Sequence, residues 1–417
     1  MKKLDRFFAM IFCLCMFAFS GKTKAQDVVV GGNDGGRAVV WINGTPQHLT
    51  VGGGAVYSVA VDNGNVYAAG FDDATSGTVW KNGAILYQLS NSGTFFSVVI
   101  VGSDVYMAGS ESVSGTTVGR VWKNGIADTG YADARSLRSV FIDGNDVYAA
   151  GITISKDAAV WKNGTLLYTF TAGDGTHTAY SVVVDSGDVY TAGYINTGIY
   201  YAPTLWKNNT LFYTLEAGDP YYSKMELRIL NGDNYVAGYN TKKCGGTVWK
   251  NGGATNGGQT IETRIGSALC NAYSVFVSNN GDLYVAGEVS DCGNYAAAAW
   301  EKGKGDYLSP GWGTAWSIVV GTVNNSGSNN GGDVNVSEIA DYKPCVYPNP
   351  TTGKLSVVSS QLSEMGGKVE IYDIVGQVVF VSATSSTSPE TVIDISQLSA
   401  GLYFLKVDGK IFKVVKE

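Results

Sequence analysis

The chain has 417 residues, of which 55 are glycine and 25 are tyrosine, and 16% are charged. Its apolar and aromatic content excludes a disordered chain, and its glycines follow no three-residue period, which excludes a collagen-like one. The formal net charge is −7, and it becomes −11 once the +4 of the first 25 residues is set aside, so no basic patch is left for nucleic acid or for an anionic membrane.

The first 25 residues have the features of a secretory signal peptide. Lys2, Lys3 and Arg6 form a positive start, and an apolar run follows from Phe7 to Phe19. This run is shorter than the ~20 residues that a helix needs to cross a bilayer. The sequence therefore predicts export with residues 1–25 removed, and no stable transmembrane segment; the alternative is a membrane anchor.

From Asp27 to Gly321 the chain repeats a unit of about 42 residues seven times. Each unit contains a Ser-Val-x-Val strand, a Val-Tyr-x-Ala-Gly strand, a strand ending in Trp-Lys-Asn-Gly, and a weaker fourth strand. The alternation predicts half-buried strands, and Asn-Gly predicts a two-residue hairpin turn that needs positive φ. We expect each tryptophan to pack against the small Ala-Gly surface of a neighbouring unit. The tryptophans are Trp41, Trp80, Trp122, Trp161, Trp206, Trp249 and Trp300.

Four antiparallel strands per unit with a tryptophan signature predict an all-β fold, a seven-bladed β-propeller over residues 27–321. The series begins at a second strand and ends with an extra first strand, Trp316–Val320. We therefore expect Trp316–Val320 to pair with Val28–Val30 and to close the ring; an open solenoid or an array of sandwiches is the alternative. The units resemble the broad propeller superfamily, WD-repeat and Kelch proteins included, but lack the Trp-Asp and Gly-His phrases of WD repeats.

Residues 322–345 are rich in Asn, Gly and Ser, which predicts a flexible linker. Residues 346–417 contain short alternating strands separated by turns, the pattern of a small Ig-like β-sandwich. Several motifs stand out in this segment. Their residues, in chain order, are Tyr347, Pro348, Asn349, Pro350, Gly353, Gly376, Gly401, Tyr403, Lys413 and Lys416.

In order and position these motifs resemble the C-terminal sorting domain of the type IX secretion system of Bacteroidota. The resemblance implies that the signal peptide takes the chain across the inner membrane and that the outer-membrane translocon then binds residues 346–417. In that family the domain is usually cleaved, and the passenger is released or attached to the cell surface. An ordinary Ig-like accessory domain is the alternative.

Residues suited to catalysis are sparse. The two histidines, His48 and His177, are far apart in the sequence, and we expect His177 to be a solvated loop residue. The sequence therefore predicts no metal site, no cofactor and no catalytic residue. Carboxylates in the loops are the basis of an alternative function, a secreted hydrolase or lyase acting on polysaccharide. These are Asp72, Asp73, Asp219 and Asp291.

Aromatic side chains cluster in loops of the later units, which we expect on one face of the ring. Amphipathic rings suit contact with protein or sugar, although packing within the loops is the simpler alternative. The leading prediction is therefore a non-catalytic module that binds an extracellular protein or glycan; a purely structural surface protein is a third class. The candidate binding residues are Tyr200, Tyr201, Tyr221, Tyr222, Tyr295 and Trp312.

Three cysteines fall on this same face: Cys244, Cys270 and Cys292. Cys244 and Cys292 occupy equivalent loops of adjacent units, and Cys270 lies in the connection between them. In an exported chain we expect one disulfide within this trio, with Cys270 as a partner, to staple the loops.

Overall fold

A computed structural model describes most of the chain after residue 25, and all its regular elements within the described residues are β-strands. This confirms the all-β class. The described residues are 26–72, 76–170, 177–196, 201–215, 224–240, 245–253, 258–262, 269–291, 294–302, 304–324, 345–347, 351–358, 368–374, 376–383, 390–407 and 410–417.

The repeat region consists of antiparallel groups of four strands, which we number sheets 1 to 7. Sheet 1 contains β1 (Asp27–Asp34), β2 (Arg37–Ile42), β3 (Thr45–His48) and residues 313–321 of a long last strand. Sheet 2 contains β4 (Gly54–Asp62), β5 (Asn65–Asp72), β6 (Ser76–Lys81) and residues 84–92 of β7 (Ala84–Val101). Sheet 3 contains residues 93–101 of β7, β8 (Asp104–Val113), β9 (Thr116–Lys123) and β10 (Ile126–Asp128).

The later sheets repeat this order. Sheet 4 contains β11 (Ala134–Asp143), β12 (Asp146–Thr153), β13 (Ala158–Lys162) and β14 (Thr165–Phe170). Sheet 5 contains β15 (Thr178–Asp185), β16 (Asp188–Asn196), β17 (Tyr201–Lys207) and β18 (Thr210–Thr214). Sheet 6 contains β19 (Glu226–Leu230), β20 (Asp233–Asn240), β21 (Gly245–Lys250) and β22 (Gln259–Glu262). Sheet 7 contains β23 (Leu269–Val277), β24 (Leu283–Asp291), β25 (Asn294–Glu301) and residues 304–312 of β26 (Lys304–Gly321).

The Trp-Lys-Asn-Gly phrase forms the turn after the third strand, and its asparagine fixes that turn. Asn163 adopts a φ of 51° and accepts a hydrogen bond at Oδ1 from the amide of Val147, 2.8 Å away. Its Nδ2 donates to Asp146 Oδ1 at 2.8 Å, and Lys162 Nζ lies 2.8 Å from Asp146 Oδ2. Asparagine tolerates this left-handed conformation, and its amide also ties the turn to the start of the second strand.

The tryptophan of the phrase is buried between successive sheets. Trp161 of sheet 4 shares a buried cluster with Ala108, the alanine of the Ala-Gly phrase in sheet 3. The same pairing joins Trp122 to Ala69 and Trp249 to Ala192. The expected contact between a tryptophan and the small surface of the neighbouring unit is therefore confirmed for the alanine.

The expected pairing of the last strand with the first is confirmed. β26 pairs antiparallel with β1, with Val320 opposite Val28 and Ile318 opposite Val30. The first strands of the seven sheets then contact each other in a closed cycle, β26–β4–β7–β11–β15–β19–β23 and back to β26. The leftover segment thus completes the sheet that the start of the repeat region leaves open.

The serine of the Ser-Val-x-Val phrase joins each first strand to the next. Ser58 Oγ, for example, accepts a hydrogen bond from the amide of Val98 at 3.1 Å. Six of the seven junctions have this bond, and at the remaining one Glu226 replaces the serine. The serines are Ser58, Ser97, Ser139, Ser181, Ser274 and Ser317.

The C-terminal segment has two antiparallel sheets around one core. One sheet contains β27 (Cys345–Tyr347), β28 (Lys354–Val358) and β31 (Glu390–Asp394); the other contains β29 (Lys368–Tyr372), β30 (Val378–Ala383), β32 (Gly401–Val407) and β33 (Lys410–Lys416). Leu355 and Ile393 from the first sheet share a buried cluster with Val369 and Leu405 from the second. The two sheets therefore bury their apolar faces against each other.

Candidate functional site

A β-bulge interrupts the first strand of six of the seven sheets at the same position. In sheet 2, Val56 lies opposite Gly70 and Ser58 lies opposite Ala69, so Tyr57 has no residue opposite it. A bulge re-aims the extra side chain out of the regular alternation. The six bulged residues are Tyr57, Phe96, Arg138, Tyr180, Tyr273 and Trp316.

The glycine of the Ala-Gly phrase makes room for the bulge. A Cβ on Gly70 would overlap the carbonyl oxygen of Ala55, and a Cβ on Gly109 would overlap that of Thr94. We expected this glycine to accommodate a tryptophan, whereas in these sheets its nearest neighbour is the bulged strand. The repeated glycine therefore has a second role, which is to let the bulge form.

Five of the six bulged side chains line a cavity of about 170 Å³. The rings lie close together: the centroid of Tyr57 is 5.4 Å from that of Phe96 and 5.6 Å from that of Trp316. A second chamber of about 270 Å³ continues between the first strands, and the two share part of their lining. The lining of the first cavity is Tyr57, Phe96, Arg138, Tyr180, Lys224 and Trp316.

In sheet 6, β19 pairs with β20 without a bulge. Lys224, two residues before β19, lines the cavity at this sheet in place of a bulged residue. Its Nζ donates to the carbonyl oxygens of Tyr57, at 2.9 Å, and of Trp316, at 2.6 Å. About 21% of its side-chain surface stays exposed. Burial lowers the pKa of Lys224 to about 8, Glu226 opposes this shift, and Arg228 adds to it.

Arg138 is the second cation of the cavity. Its guanidinium carbon lies 4.0 Å from the centroid of the Phe96 ring, a cation–π geometry. Its Nε is buried and has no hydrogen-bond partner among the residues that the structure describes. Burial lowers the pKa of Arg138, whereas Tyr180 and Tyr57 raise it, and a guanidinium stays charged at neutral pH.

Glu226 is the carboxylate nearest to Lys224 in the described part of sheet 6, and it is already paired. Its Oε1 lies 2.7 Å from Arg228 Nη2, whereas its Oε2 is 4.0 Å from Lys224 Nζ. Arg228 Nε also donates to the carbonyl oxygen of Val275 at 3.3 Å. Glu226 therefore compensates the positive charge of Lys224 only in part, because its closer ion pair is with Arg228.

The loop aromatics named from the sequence are only partly described. Tyr295 and Trp312 lie on neighbouring strands of sheet 7 and are 45% and 65% exposed. Tyr201 is half-buried at the start of β17, two sheets away. Tyr200, Tyr221 and Tyr222 lie outside the described residues. The prediction of a binding surface formed by all six stays a prediction.

Sequence reasoning missed the cavity, although a signal for it was present. The bulged residue comes directly before the serine of the Ser-Val-x-Val phrase in every unit that has this serine. In that column stand tyrosine, phenylalanine, arginine, tyrosine, tyrosine and tryptophan, which are large side chains in a position next to a small one. The candidate binding residues named from the sequence lie in predicted loops, because the alternating pattern of this strand indicates only a half-buried structural strand.

The expectation for His177 is wrong. We expected a solvated loop residue, but His177 is buried, and its Nδ1 accepts a hydrogen bond from the amide of Asn196 at 3.1 Å. Burial lowers its pKa, which favours the neutral ring. His48 lies at the edge of sheet 1, with Nε2 3.0 Å from Asp34 Oδ2.

Several other residues named from the sequence are untested. Cys270 lies within β23, opposite Val289, and not in the connection where we expected it. Cys244 and Cys292 are outside the described residues, so the disulfide stays a prediction. Among the loop carboxylates, Asp72 ends β5. Asp73 and Asp219 are not described, and nothing is described of the Asp291 side chain.

The sorting-motif residues are placed in part. Gly353 and Gly376 have φ values of 155° and 84°, and the Tyr403 hydroxyl donates to the carbonyl oxygen of Ser399 at 2.8 Å. Lys416 is buried in the last strand, and Lys413 lies earlier in the same strand. Gly401 begins β32 and Tyr347 ends β27. Pro348, Asn349 and Pro350 are outside the described residues.

Within the described ranges, no group of three or more His, Cys, Asp or Glu side chains is placed to hold a metal ion. The described residues also contain no helix that is long and apolar enough to cross a membrane.

Comparison with known families identifies the C-terminal segment. Residues 345–417 match the family model of the secretion system C-terminal sorting domain. The resemblance found from the motifs is therefore confirmed over that segment. No curated protein matches the chain.

Solved structures give more distant matches. The WD40 β-propeller domain of Doa1 is 20% identical, and the match covers 62% of this chain and 86% of that one with a TM-score of 0.43. The computationally designed Ika8 protein is 13% identical, over 88% of this chain and 98% of that one, with a TM-score of 0.39. A puromycin-hydrolysing peptidase of Mycobacterium tuberculosis is 10% identical, over 80% and 58%, with a TM-score of 0.41. Similarities at this level are too low to indicate a ligand or an activity.

Proposed function

We propose that this chain, whose residues 345–417 are a type IX secretion C-terminal sorting domain, is an exported β-propeller that acts as a non-catalytic binding module. The sorting domain indicates secretion or attachment to the cell surface. In this proposal residues 1–25 are the signal peptide, residues 27–321 the propeller, residues 322–345 a linker, and residues 346–417 an Ig-like β-sandwich that engages the secretion machinery.

Strand pairing supports a propeller with seven blades. The first strands contact each other in a closed cycle, and β26 and β1 share one sheet. The serine bonds between neighbouring first strands follow the same cycle. A solenoid would leave its first and last sheets without this contact. Each of sheets 1 to 7 is then one blade, and the bulged side chains lie around the central axis.

The cavity at the centre is the observation that carries the binding function. Five bulged side chains from five sheets, together with Lys224, line one concave space. Ligand sites are typically concave and mostly apolar, with a few polar groups that orient the ligand. A space of this size accommodates a small molecule, a terminal sugar residue or a protein side chain. It is therefore compatible with the protein or glycan ligand predicted from the sequence.

The chemistry of the lining favours binding over catalysis. Among the described residues, the lining of the first chamber contains four aromatic rings and two cations but no carboxylate, and the lining of the second chamber adds the carboxylates of Asp62 and Glu226 and the guanidinium of Arg228. Glycoside hydrolysis needs a pair of carboxylates on either side of the scissile bond. We therefore propose a binding role for the cavity, because its first chamber has no carboxylate and Glu226 of the second chamber is held in an ion pair with Arg228.

The test compares two tryptophans of β26. The purified chain is screened against small molecules, glycans and extracellular proteins, and each hit is remeasured with Trp316→Ala and Trp312→Ala. Trp316 lines the cavity, whereas Trp312 is 65% exposed on sheet 7. We expect Trp316→Ala to weaken binding roughly tenfold or more, and Trp312→Ala to leave it unchanged.

The reverse result would place the binding site on the loop face and overturn the proposal for the cavity. Thermal unfolding of both variants shows whether either substitution acts through loss of the fold. A ligand that is turned over rather than bound would replace the binding role by an enzymatic one.

A further inference from the structure

The size of the central cavity limits its ligand to about one ring. Its volume is about 170 Å³. An engineered apolar cavity of roughly 150 Å³ holds a benzene molecule. A six-membered ring with one substituent therefore fits the first chamber, and a short chain attached to it would reach into the second.

The wall of the cavity suits a flat, aromatic body. Tyr57 packs against both Phe96 and Trp316, with ring centroids 5.4 and 5.6 Å away and the rings tilted to each other. Aromatic pairs prefer centroid distances of about 4.5–7 Å in offset or edge-to-face arrangements. A further ring placed among these three would extend the same packing.

The charge of the cavity selects an anion. Arg138 and Lys224 are both cations, and Glu226, whose Oε2 lies 4.0 Å from Lys224 Nζ, pairs more closely with Arg228 at 2.7 Å. Lys224 Nζ uses two of its three donors on backbone carbonyls, and Arg138 Nε is a buried donor without a partner in the described part of the chain. Charge that is compensated only in part, and a buried donor that is not used, cost free energy, which an anionic ligand would recover.

The same charges argue against a cationic ligand. Aromatic cages bind quaternary ammonium groups through the faces of their rings. Here a face of Phe96 is already covered by Arg138, and the ammonium group of Lys224 is held at the backbone carbonyl oxygens of Tyr57 and Trp316. A second positive group would meet two like charges at short range.

We propose, on the basis of the binding function above, that the ligand of the central cavity is a small aromatic carboxylate. Its ring packs among Tyr57, Phe96 and Trp316, and its carboxylate binds Arg138 and Lys224. The planar guanidinium of Arg138 suits a carboxylate better than a point charge does, because it can donate two parallel hydrogen bonds.

Isothermal titration of the purified chain with matched compounds tests the ligand class. Benzoate, 4-hydroxybenzoate and phenylacetate are compared with benzamide, which keeps the shape but not the charge, and with acetate, which keeps the charge but not the ring. We expect the aromatic acids to bind, and benzamide and acetate to bind roughly tenfold or more weakly.

Variants of two arginines on β11 test the role of Arg138. We expect Arg138→Met to weaken benzoate binding roughly tenfold or more, and Arg138→Lys to weaken it less. Arg135→Met is the matched control, because Arg135 is exposed on the same strand, and we expect it to change nothing. Should Arg138→Met fail to fold, Lys224→Met and the comparison of benzoate with benzamide serve in its place.

The outcomes separate this inference from the proposed function. Equal affinity for benzamide and benzoate, or failure of every aromatic acid to bind, overturns the aromatic carboxylate. If another ligand binds and Trp316→Ala abolishes that binding, the cavity remains the binding site. If no ligand of any class depends on Trp316, the proposed function itself fails.

Discussion

Lys224 sets how the charge of the central cavity depends on pH. Burial lowers its pKa from 10.5 to about 8. Other titratable groups close by are Glu226, Arg228, Arg138 and the hydroxyls of Tyr57 and Tyr180. Burial raises the pKa of Tyr57, so that its hydroxyl stays neutral in this range. The cavity therefore loses one positive charge as pH rises through about 8.

We expect the affinity for benzoate to fall as pH rises from about 7 to 9, because benzoate is already ionised while Lys224 loses its proton. Isothermal titration over this range measures the fall, and Lys224→Met should remove it. Stability changes in the opposite direction to affinity. Because the pKa of Lys224 is lower in the folded than in the unfolded chain, the unfolded chain binds more protons between about pH 8 and 10.5, and the free energy of unfolding rises over this range. An affinity that stays constant over the range would contradict the role of Lys224.

Individual residues show what the sequence could and could not reveal. The repeated Asn-Gly turn was predictable, because the left-handed backbone selects those residue types. The hydrogen bond from this asparagine to the second strand was harder to predict, since Asn163 and Asp146 are 17 residues apart. Lys224 was not visible at all, because in sheet 6 a Met-Glu pair stands where the other units have a large residue and a serine.

At the scale of elements, the bulge found in six of the seven first strands and the glycine near it form one structural unit. In sheet 3, Phe95 lies opposite Gly109 and Ser97 lies opposite Ala108, which leaves Phe96 to line the cavity. A bulge is a backbone feature, and periodicity in the sequence does not reveal it directly. The glycine of the Ala-Gly phrase does indicate that a backbone approaches closely there. From the sequence alone, however, packing of the tryptophan explains this glycine equally well.

We expect Gly109→Ala to destabilise the fold by about 1–3 kcal/mol and also to weaken ligand binding. The new Cβ would overlap the carbonyl oxygen of Thr94, so the bulge must shift and Phe96 with it. Chemical denaturation and titration measure the two effects.

Gly102→Ala is the matched control in the same sheet. Gly102 has a φ of 60° with open space around its Cβ position, so alanine should cost about 1 kcal/mol of backbone strain without moving the bulge. We expect stability to fall but affinity to stay. Loss of affinity in both variants, or wild-type behaviour of Gly109→Ala, would show that the bulge does not position Phe96.

At the scale of the whole molecule, the closing strand ends where the linker begins. Asp27 Oδ2 accepts a hydrogen bond from the amide of Val323 at 2.8 Å, and the amide of Asn324 donates to the carbonyl oxygen of Gly64 at 2.9 Å. The two ends of the repeat region are thus held together before residue 325. This pairing was predictable from the sequence, because the phase of the repeats shows one strand missing at the start and one in excess at the end.

Because the repeat region closes on itself before the linker, the sorting domain can be removed without opening a sheet of the repeat region. We expect deletion of residues 346–417 to leave the repeat region folded in the periplasm of a host with a type IX secretion system. Fractionation into medium, cell surface and periplasm measures this, and ligand binding by the retained protein shows that it is folded. Deletion of residues 325–340 is the control, because it shortens the linker but leaves both the closure and the sorting domain intact, and export should continue. If the protein without residues 346–417 reached the medium as efficiently as the full chain, the C-terminal domain would not direct export, and its buried core would have to serve another purpose.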